Sequence, residues 1–86
     1  MKIGFHKDFK KQYRKLNRKE QRKIEKRLDL FVKNKFNSTL NNHALRGKFL
    51  GYSSINITGD LRAIYKKIKK EEYLFVDIGS HSKLYS

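Results

Sequence analysis

The spacing of apolar residues changes near residue 40, and this change restricts the possible folds more than any other feature of the chain. Before residue 40, apolar residues recur at every third or fourth position, as they do along one face of a helix. Two such stripes are present: Phe9, Tyr13 and Leu16, and then Ile24, Leu28 and Phe31. After residue 40, apolar and polar residues alternate, which is typical of half-buried strands. The pattern predicts helices in the first half of the chain and a sheet in the second half.

The first half contains signals for two separate helices. Asp8 lies near the start of the first, where a negative charge suits the helix dipole. Asn17 interrupts the apolar stripe and is a suitable N-cap for the second helix, because Glu20 three residues later completes a capping box. Leu30 and Val32 widen the second stripe. We therefore expect a helical hairpin with one apolar face and a charged outer surface.

Alternating segments and turn signals together predict the sheet. The strand-like segments are 2–5, which precedes the helices, and 52–58, 61–68 and 73–79, which follow them. Gly59-Asp60 favours a turn between two of these segments, and the charged stretch KKEE favours a reversal before the last one. These signals predict a three-stranded antiparallel meander. We expect 37–51 to be a loop with weak strand character near its end.

A two-layer arrangement buries all of these apolar faces, with both N-terminal helices packed on one face of the sheet. The expected fold is α+β, in the order β-α-α-β-β-β, with a small four-stranded antiparallel sheet and the N-terminal strand at one side. Residues 1–86 are expected to form a single domain, because so short a chain has no room for a second core.

The two faces of the predicted sheet differ in chemistry. The residues expected to face the helices are Ile55, Ile57, Leu61, Ala63, Tyr65, Leu74, Val76 and Ile78. The opposite face would carry Asn56, Arg62, Lys66 and Asp77. That polar face is either an RNA-binding floor or the ordinary solvent side of an antiparallel sheet.

The positive charge of the chain indicates a polyanionic partner. Lysine and arginine number 22 against 8 acidic residues, for a formal net charge of +14, whereas solubility alone requires a net charge of about 2–8 in magnitude. An excess of this size repels itself in the folded state and points to nucleic acid or the ribosome. Most of the basic residues lie between Lys7 and Lys35, off the apolar stripes. A solvated basic surface without a specific partner is the alternative.

Cysteine usage and hydropathy argue against several other classes of protein. The chain has no cysteine, so it forms no disulfide and has no thiolate ligand for zinc, and its three histidines are not at zinc-ligand spacing. No apolar segment approaches the about 18 residues needed to span a bilayer, and the N-terminus lacks the apolar core of a signal peptide. We expect a cytoplasmic protein with no metal, no cofactor and no membrane association.

Five polar residues could support RNA cleavage without a metal: His43, Asp60, Arg62, His81 and Tyr85. Attack by a ribose 2′-OH on the adjacent phosphate needs a base, an acid for the leaving 5′-oxygen and a cation for the phosphorane. Histidine suits the first two roles because it titrates near neutral pH, and arginine suits the third because its planar fork matches phosphate oxygens. An aromatic ring can stack on a splayed-out base. Each residue also has an ordinary structural explanation as a turn, cap or packing residue.

The same region resembles the C-terminal half of toxins in the YafQ branch of the RelE/ParE superfamily. Five elements of that pattern occur in order: HALRG from His43, the pair Gly51-Tyr52, Asp60, RAIY from Arg62, and GSH from Gly79 followed by Leu84-Tyr85. The close match covers about half of the chain, and the helical half agrees in pattern and charge. Each motif is weakly specific alone, whereas five in register are more specific.

The resemblance implies the toxin of a type II toxin–antitoxin system, a ribosome-dependent endoribonuclease that cuts mRNA in the ribosomal A site by 2′-OH attack. It also implies roles for the five residues. His43, Asp60 and His81 match positions that are catalytic in YafQ-like toxins. Arg62 matches an arginine that stabilises the transition state, and Tyr85 matches a C-terminal aromatic residue that contacts mRNA.

The expected partners follow from the resemblance and the charge. They are a cognate acidic antitoxin, which would cover basic surface, and the ribosome with its mRNA. The basic residues expected to contact RNA are Arg46, Lys48, Lys66 and Lys83. The free toxin is expected to be a monomer.

Two positions depart from the family pattern. Asn56 stands where YafQ has a further active-site histidine, and Asp77 stands where an arginine usually precedes the C-terminal histidine motif. Asp77 exchanges a phosphate-binding cation for an anion; Arg62 could pair with it, or Lys66 and Lys83 could supply the missing charge.

Two other functions therefore stay open on the same fold. One is inhibition of DNA gyrase, as for ParE relatives, which needs no acid–base pair, and the other is ribosome or RNA binding without catalysis.

Overall fold

The computed structural model describes residues 1–85, apart from the side chain of residue 85. Its elements are β1 (Lys2–Phe5), α1 (Lys7–Lys15), α2 (Arg18–Lys33), β2 (His43–Ala44), β3 (Ser53–Asn56), β4 (Leu61–Lys69), β5 (Glu72–Ser80) and α3 (His81–Tyr85), with short 3-10 helices at Ser38–Leu40 and Gly47–Phe49. α1 and α2 pack on one face of a five-stranded, mostly antiparallel sheet. The predicted α+β fold is confirmed. Within the described residues, no helix is long and apolar enough to cross a membrane.

The sheet has the strand order β1-β5-β4-β3-β2 and differs from the prediction in two ways. β1 runs parallel to β5, with Phe5 opposite Phe75, whereas the sequence predicts an antiparallel sheet. A fifth strand, β2, pairs with β3 through His43 and Ala44, inside the predicted loop. Alternation has the same period in parallel and antiparallel strands, so it does not reveal strand direction. A strand of two residues is too short to show alternation.

Local hydrogen bonds define the start of α2 as the sequence predicts. Asn17 Oδ1 accepts a hydrogen bond from the N–H of Glu20 at 2.8 Å, and Glu20 Oε1 accepts one from the N–H of Asn17 at 3.3 Å. These reciprocal bonds satisfy two backbone donors that the start of a helix leaves unpaired. At α1 the N-cap is His6, whose Nδ1 accepts from the N–H of Asp8 at 3.1 Å.

Phe31 of α2 lies at the centre of the core between the helices and the sheet. It is fully buried, and its ring meets three sheet rings edge-on, those of Tyr65, Tyr73 and Phe75, at centroid distances of 4.9, 5.6 and 5.2 Å. Such edge-to-face contacts add to the free energy of burial. Ile24 and Leu28 pack in the same cluster, so the predicted stripe faces the sheet. Val32 does not widen that stripe, since it is 43% exposed.

A β-bulge interrupts the alternation of β5. Ile64 of β4 pairs with Asp77, and the next residue, Tyr65, pairs with Phe75, so Val76 is an additional residue in β5. One added residue reverses the face to which the following or preceding side chains point. A sequence-based assignment that assumes unbroken alternation is therefore wrong on one side of Val76.

The bulge corrects the predicted core assignment of β5. The sequence predicts that Leu74, Val76 and Ile78 face the helices. Ile78 does, but the other residues buried beneath the helices are Tyr73 and Phe75, whereas Val76 packs in a separate cluster on the opposite face. Leu74 lines a cleft on that opposite face beside Val76.

The sheet face opposite α1 and α2, here called the far face, carries a small apolar cluster of its own. Ile64 is fully buried there with Leu45, which follows β2, and Leu84, which belongs to α3. Phe49, Tyr52 and Val76 pack around them. The expectation of a polar face without a cover is therefore wrong at its centre. Leu45 and Leu84 are single apolar residues in segments without periodicity, so their burial depends on the path of the chain.

Candidate active site

The strand pairing sets the positions of the candidate residues on the far face. One row of paired residues crosses four strands: His43, Ser54, Ile64 and Asp77. Side chains that are directly paired point to the same side of a sheet, so His43 and Asp77 share the far face with the buried Ile64. At about 4.8 Å between neighbouring strands, the two ends of the row are roughly 14 Å apart.

The turn between β3 and β4 meets the start of α3. The N–H of His81 donates a hydrogen bond to the carbonyl oxygen of Asp60 at 2.9 Å. Arg62 pairs with Gly79, two residues before His81. Asp60 and His81 are exposed, and Arg62 is half-buried. Three of the predicted catalytic residues are therefore brought together at one end of the β4–β5 pair.

The guanidinium of Arg62 is held by the turn that precedes it. Its Nη1 donates to the carbonyl oxygens of Thr58 and Gly59, each at 3.0 Å, and to that of Leu61 at 3.3 Å. These bonds share one nitrogen, so Nε and Nη2 take no part in them. An arginine whose rotamer is restricted in this way loses less conformational entropy when it binds a phosphate.

His43 lies on β2, at the edge of the sheet, and its tautomer follows from a hydrogen bond. Its Nδ1 lies 2.7 Å from the carbonyl oxygen of Asn41. A carbonyl oxygen only accepts hydrogen bonds, so Nδ1 carries the proton and Nε2 of the neutral ring has the lone pair. The side chain is exposed. This arrangement leaves Nε2 as the atom that can take up a proton.

Asp77 is half-buried at the bulge of β5. Its Oδ1 accepts a hydrogen bond from the N–H of Ile78 at 2.9 Å. Burial raises the pKa of the Asp77 carboxyl above its ordinary value; the Ile78 hydrogen bond lowers the pKa, and the nearby Asp8 raises it further. None of the ion pairs among residues 1–85 joins Asp77 to Arg62. The pairing of these two residues that the sequence suggested is therefore not formed.

Two of the predicted RNA-binding lysines lie over aromatic rings. Lys66 Nζ is 5.7 Å from the centroid of the Tyr52 ring, and Lys48 Nζ is 5.5 Å from that of Phe49. The two rings meet edge-on, at 82° and a centroid distance of 6.4 Å. Cations and aromatic faces attract each other at such distances. The pairs place positive charge beside two aromatic surfaces.

Four further candidates are Arg46, Lys83, Asn56 and Tyr85. Arg46 is exposed next to Gly47–Phe49, and Lys83 is exposed on α3. Asn56 pairs with Arg62, and its Oδ1 is buried without a hydrogen-bond partner among the described residues. The side chain of Tyr85 lies outside the described part of the structure, so its predicted contact with mRNA stays a prediction.

A cleft of about 370 Å³ lies along β5 on the far face and is called the β5 cleft below. Its lining is His6, Asp8, Lys48, Phe49, Tyr52, Lys66, Leu74, Val76 and Asp77. Sequence reasoning missed His6 and Asp8, because only the parallel pairing of β1 with β5 brings the start of α1 to this place. For the rest of the lining, the sequence signal was the presence of the aromatic residues Phe49 and Tyr52 close to Lys48.

The α+β fold, with two helices on one face of the sheet, is that of small toxins whose structures are solved. A family model described as a bacterial toxin of type II toxin–antitoxin systems, YafQ, matches residues 1–86. The chain belongs to this YafQ toxin family and is the toxin of a type II toxin–antitoxin system. The family resemblance predicted from the sequence is confirmed.

Solved structures show the same fold at low sequence identity. YafQ from Escherichia coli aligns with a TM-score of 0.76 at 21% identity, over 98% of this chain and 97% of that chain. A YoeB/ParE toxin from Agrobacterium tumefaciens aligns with a TM-score of 0.77 at 19% identity, over 94% and 99%. The Escherichia coli DinJ–YafQ complex aligns with a TM-score of 0.73 at 22% identity, over 98% and 96%. Among curated proteins, none matches the sequence closely.

Proposed function

We propose that this toxin is an endoribonuclease that cleaves mRNA in the ribosomal A site, with a ribose 2′-OH as the nucleophile. The observation that carries the proposal is the hydrogen bond from the N–H of His81 to the carbonyl oxygen of Asp60, next to Arg62. It places the backbones of His81 and Asp60 side by side at one end of the β4–β5 pair, where Arg62 pairs with Gly79. These residues supply the cation and one of the two proton-transfer groups that metal-free transfer at phosphorus requires.

The residues have distinct roles in the proposed reaction. Arg62 stabilises the charge that develops on the phosphorane, because its anchored fork presents further N–H donors. His81 and His43 are the two candidates for the acid and the base. Asp60 lies in the turn beside His81 and supports a protonated imidazole electrostatically. Tyr85 is the proposed aromatic contact to the mRNA.

The reaction is proposed to need no metal ion. Histidine and arginine supply the proton transfers and the positive charge that a divalent cation would otherwise provide. Within the described residues, no three histidine, aspartate or glutamate side chains are grouped closely enough to hold a metal. Arg46, Lys48, Lys66 and Lys83 are proposed to bind the RNA backbone.

The toxin is also proposed to bind a cognate acidic antitoxin. The Escherichia coli relative is found in a complex with DinJ, and the formal net charge of +14 here favours a partner of opposite charge. Most basic residues lie on α1 and α2, away from the far face, so one acidic chain can neutralise the helical layer. Release of the toxin from the antitoxin would leave the helical layer free to bind ribosomal RNA.

Single-turnover cleavage of an mRNA on purified ribosomes tests the proposal. His81→Ala should slow cleavage by roughly 10²–10⁴, the usual effect of losing a general acid or base. Arg62→Ala should cost a comparable or larger factor, and Arg62→Lys should recover only part of it, because a point charge lacks the bidentate fork. Ser82→Ala, an exposed neighbour on α3, is the matched control and should cleave normally.

Two further measurements separate catalysis from binding. Ribosome binding should be retained in His81→Ala and Arg62→Ala, because most of the basic charge is on the helices. A message with a 2′-deoxy residue 5′ to the scissile phosphate should be inert; cleavage of it would remove the proposed nucleophile. A protein that binds ribosomes and leaves all transcripts intact would contradict the proposal. Inhibition of DNA supercoiling with intact polysomes would instead identify a gyrase inhibitor.

Metal independence has its own test, because ribosomes need magnesium and chelation is therefore uninformative. Sulfur replaces a nonbridging oxygen at the scissile phosphate, and the slowed reaction is followed with added manganese or cadmium. No rescue is expected from either thiophilic ion. Rescue would show that a metal contacts that oxygen during the reaction.

A further inference from the structure

The β5 cleft contains groups that the proposed cleavage chemistry does not use. Leu74 and Val76 supply apolar surface, and the rings of Phe49 and Tyr52 stand beside it. The volume of about 370 Å³ lies at the lower end of the range for small-ligand sites. Apolar surface next to aromatic rings suits a flat heterocyclic ligand.

Positive charge surrounds the aromatic part of the cleft. Lys66 lies over the ring of Tyr52, and Lys48 lies over that of Phe49. Proteins that bind single-stranded RNA combine rings that stack on unpaired bases with cations that bind the phosphates. The cleft has both kinds of side chain.

Asp77 gives the cleft a hydrogen-bond acceptor. An ionised carboxylate accepts hydrogen bonds through both oxygens and donates none. The N–H of Ile78 uses one position on Oδ1, and none of the ion pairs within residues 1–85 includes Asp77. A half-buried carboxylate that accepts only one hydrogen bond is stabilised when a ligand brings further N–H donors to it.

The four RNA bases differ in how well they satisfy a carboxylate. Guanine presents two adjacent donors on its Watson–Crick edge, N1–H and the N2 amino group, which match the two carboxylate oxygens. Adenine and cytosine present one amino group beside a ring nitrogen whose lone pair repels the second oxygen. Uracil presents one N–H between two carbonyl oxygens, both of which repel the carboxylate. Guanine is therefore the base that best satisfies a carboxylate.

We propose that the β5 cleft holds one unstacked nucleobase of the bound mRNA and that Asp77 makes guanine the preferred base there. The proposal rests on the ribonuclease function proposed above, to which it adds a specificity-determining residue.

Binding of ribonucleoside 5′-monophosphates to the full-length toxin tests the site without ribosomes. Amide chemical shifts are followed during titration with GMP, AMP, CMP and UMP. GMP should bind at least about tenfold more tightly than UMP, the size of discrimination expected from a bidentate base contact. The largest shifts should fall on residues of β5 and on Tyr52.

Asp77→Asn is the test of the residue. The amide keeps the shape of the side chain and an oxygen to accept the N–H of Ile78, but it places an N–H₂ group against the guanine donors. The preference for GMP over UMP should fall to about threefold or less. Asp29→Asn removes the same charge from the exposed surface of α2 and should leave the preference unchanged.

The outcomes separate this inference from the proposed function. Equal binding of GMP and UMP by the unaltered protein, or an unchanged GMP preference in Asp77→Asn, would overturn the inference even if mRNA is cleaved. Selective binding of GMP that Asp77→Asn abolishes would support it. On ribosomes, the unaltered toxin should cleave codons that contain guanine faster than codons in which uracil replaces that guanine. In Asp77→Asn the two cleavage rates should be equal. Loss of cleavage on every codon with intact GMP selectivity would contradict the ribonuclease proposal alone.

Discussion

The backbone N–H of His81 donates a 2.9 Å hydrogen bond to the carbonyl oxygen of Asp60. This bond joins the first residue of α3 to the turn between β3 and β4, two parts of the chain that share no local sequence signal. It fixes the backbone of His81 next to the turn whose carbonyl oxygens hold the guanidinium of Arg62. The geometry of the proposed active site therefore depends on how α3 docks.

The docking of α3 should be sensitive to a single methyl group at Gly79. A Cβ at this position would lie 3.2 and 3.3 Å from Cγ and Cδ2 of Leu84, which is buried on the far face. Gly79→Ala should therefore push α3 outward, at a cost of about 1–3 kcal/mol in the free energy of unfolding. Cleavage per folded molecule should fall as well, because His81 moves with α3.

Gly59→Ala is the control for that change. A Cβ at Gly59 has no atom within 4 Å, so the free energy of unfolding should stay unchanged or rise by about 0.4–1 kcal/mol. Urea denaturation and single-turnover cleavage of both variants measure the two effects. Wild-type activity in Gly79→Ala would show that the position of α3 does not limit the reaction.

Phe31 should contribute more to stability than any exposed residue of α2. Its ring is fully buried against three aromatic rings, so Phe31→Ala should lower the free energy of unfolding by about 3–5 kcal/mol. Val32, its neighbour, is 43% exposed, and Val32→Ala should change stability by no more than about 0.5 kcal/mol. Thermal and urea unfolding followed by circular dichroism compare the two. Similar losses in both variants would contradict the packing described here.

Asp77 should make stability fall as pH rises. Burial raises the pKa of its carboxyl in the folded state above the ordinary value of 3.8. Below that ordinary value the group is protonated in both folded and unfolded chains and carries no penalty. As pH rises through the higher folded-state pKa, the folded protein must ionise a half-buried group, and stability is lost. Asp77→Asn, which cannot ionise, should be the more stable protein at neutral pH and lose that advantage at about pH 3.

The measurement is Tm between about pH 3 and pH 8, with Asp29→Asn as the reference. Both substitutions remove one negative charge from a protein of formal net charge +14, so both increase its self-repulsion equally. The difference between the two variants then reports the burial of Asp77. A difference that does not change with pH would show that desolvation of this carboxyl is negligible.

Association with the antitoxin should depend strongly on salt. Complementary charge accelerates the encounter of two proteins, and screening removes this effect. With a formal net charge of +14 on the toxin, the association rate constant should drop by at least about tenfold between low and high ionic strength. Stopped-flow mixing with the cognate antitoxin measures it. Equal association rates at both ionic strengths would refute the electrostatic argument.

Features that depend on residues close together in the chain could be predicted from the sequence. The capping box of Asn17 and Glu20, the apolar stripe of α2 and the alternation of β4 involve neighbours a few positions apart, where periodicity reports the local conformation directly. The α+β fold followed from those patterns, and the family resemblance followed from five motifs in the second half of the chain. Residue type and motif single out Asp60, Arg62 and His81 in the sequence, whereas their proximity is a feature of the folded chain.

Contacts between distant segments were decided only by the tertiary structure. The parallel pairing of β1 with β5 brings His6 and Asp8 to the β5 cleft, and the bulge at Val76 reverses part of β5. Alternation with a period of two does not reveal the direction of a strand or the presence of an added residue. The hydrogen bond between His81 and Asp60 likewise has no local signature, because it joins two segments that are far apart in the chain.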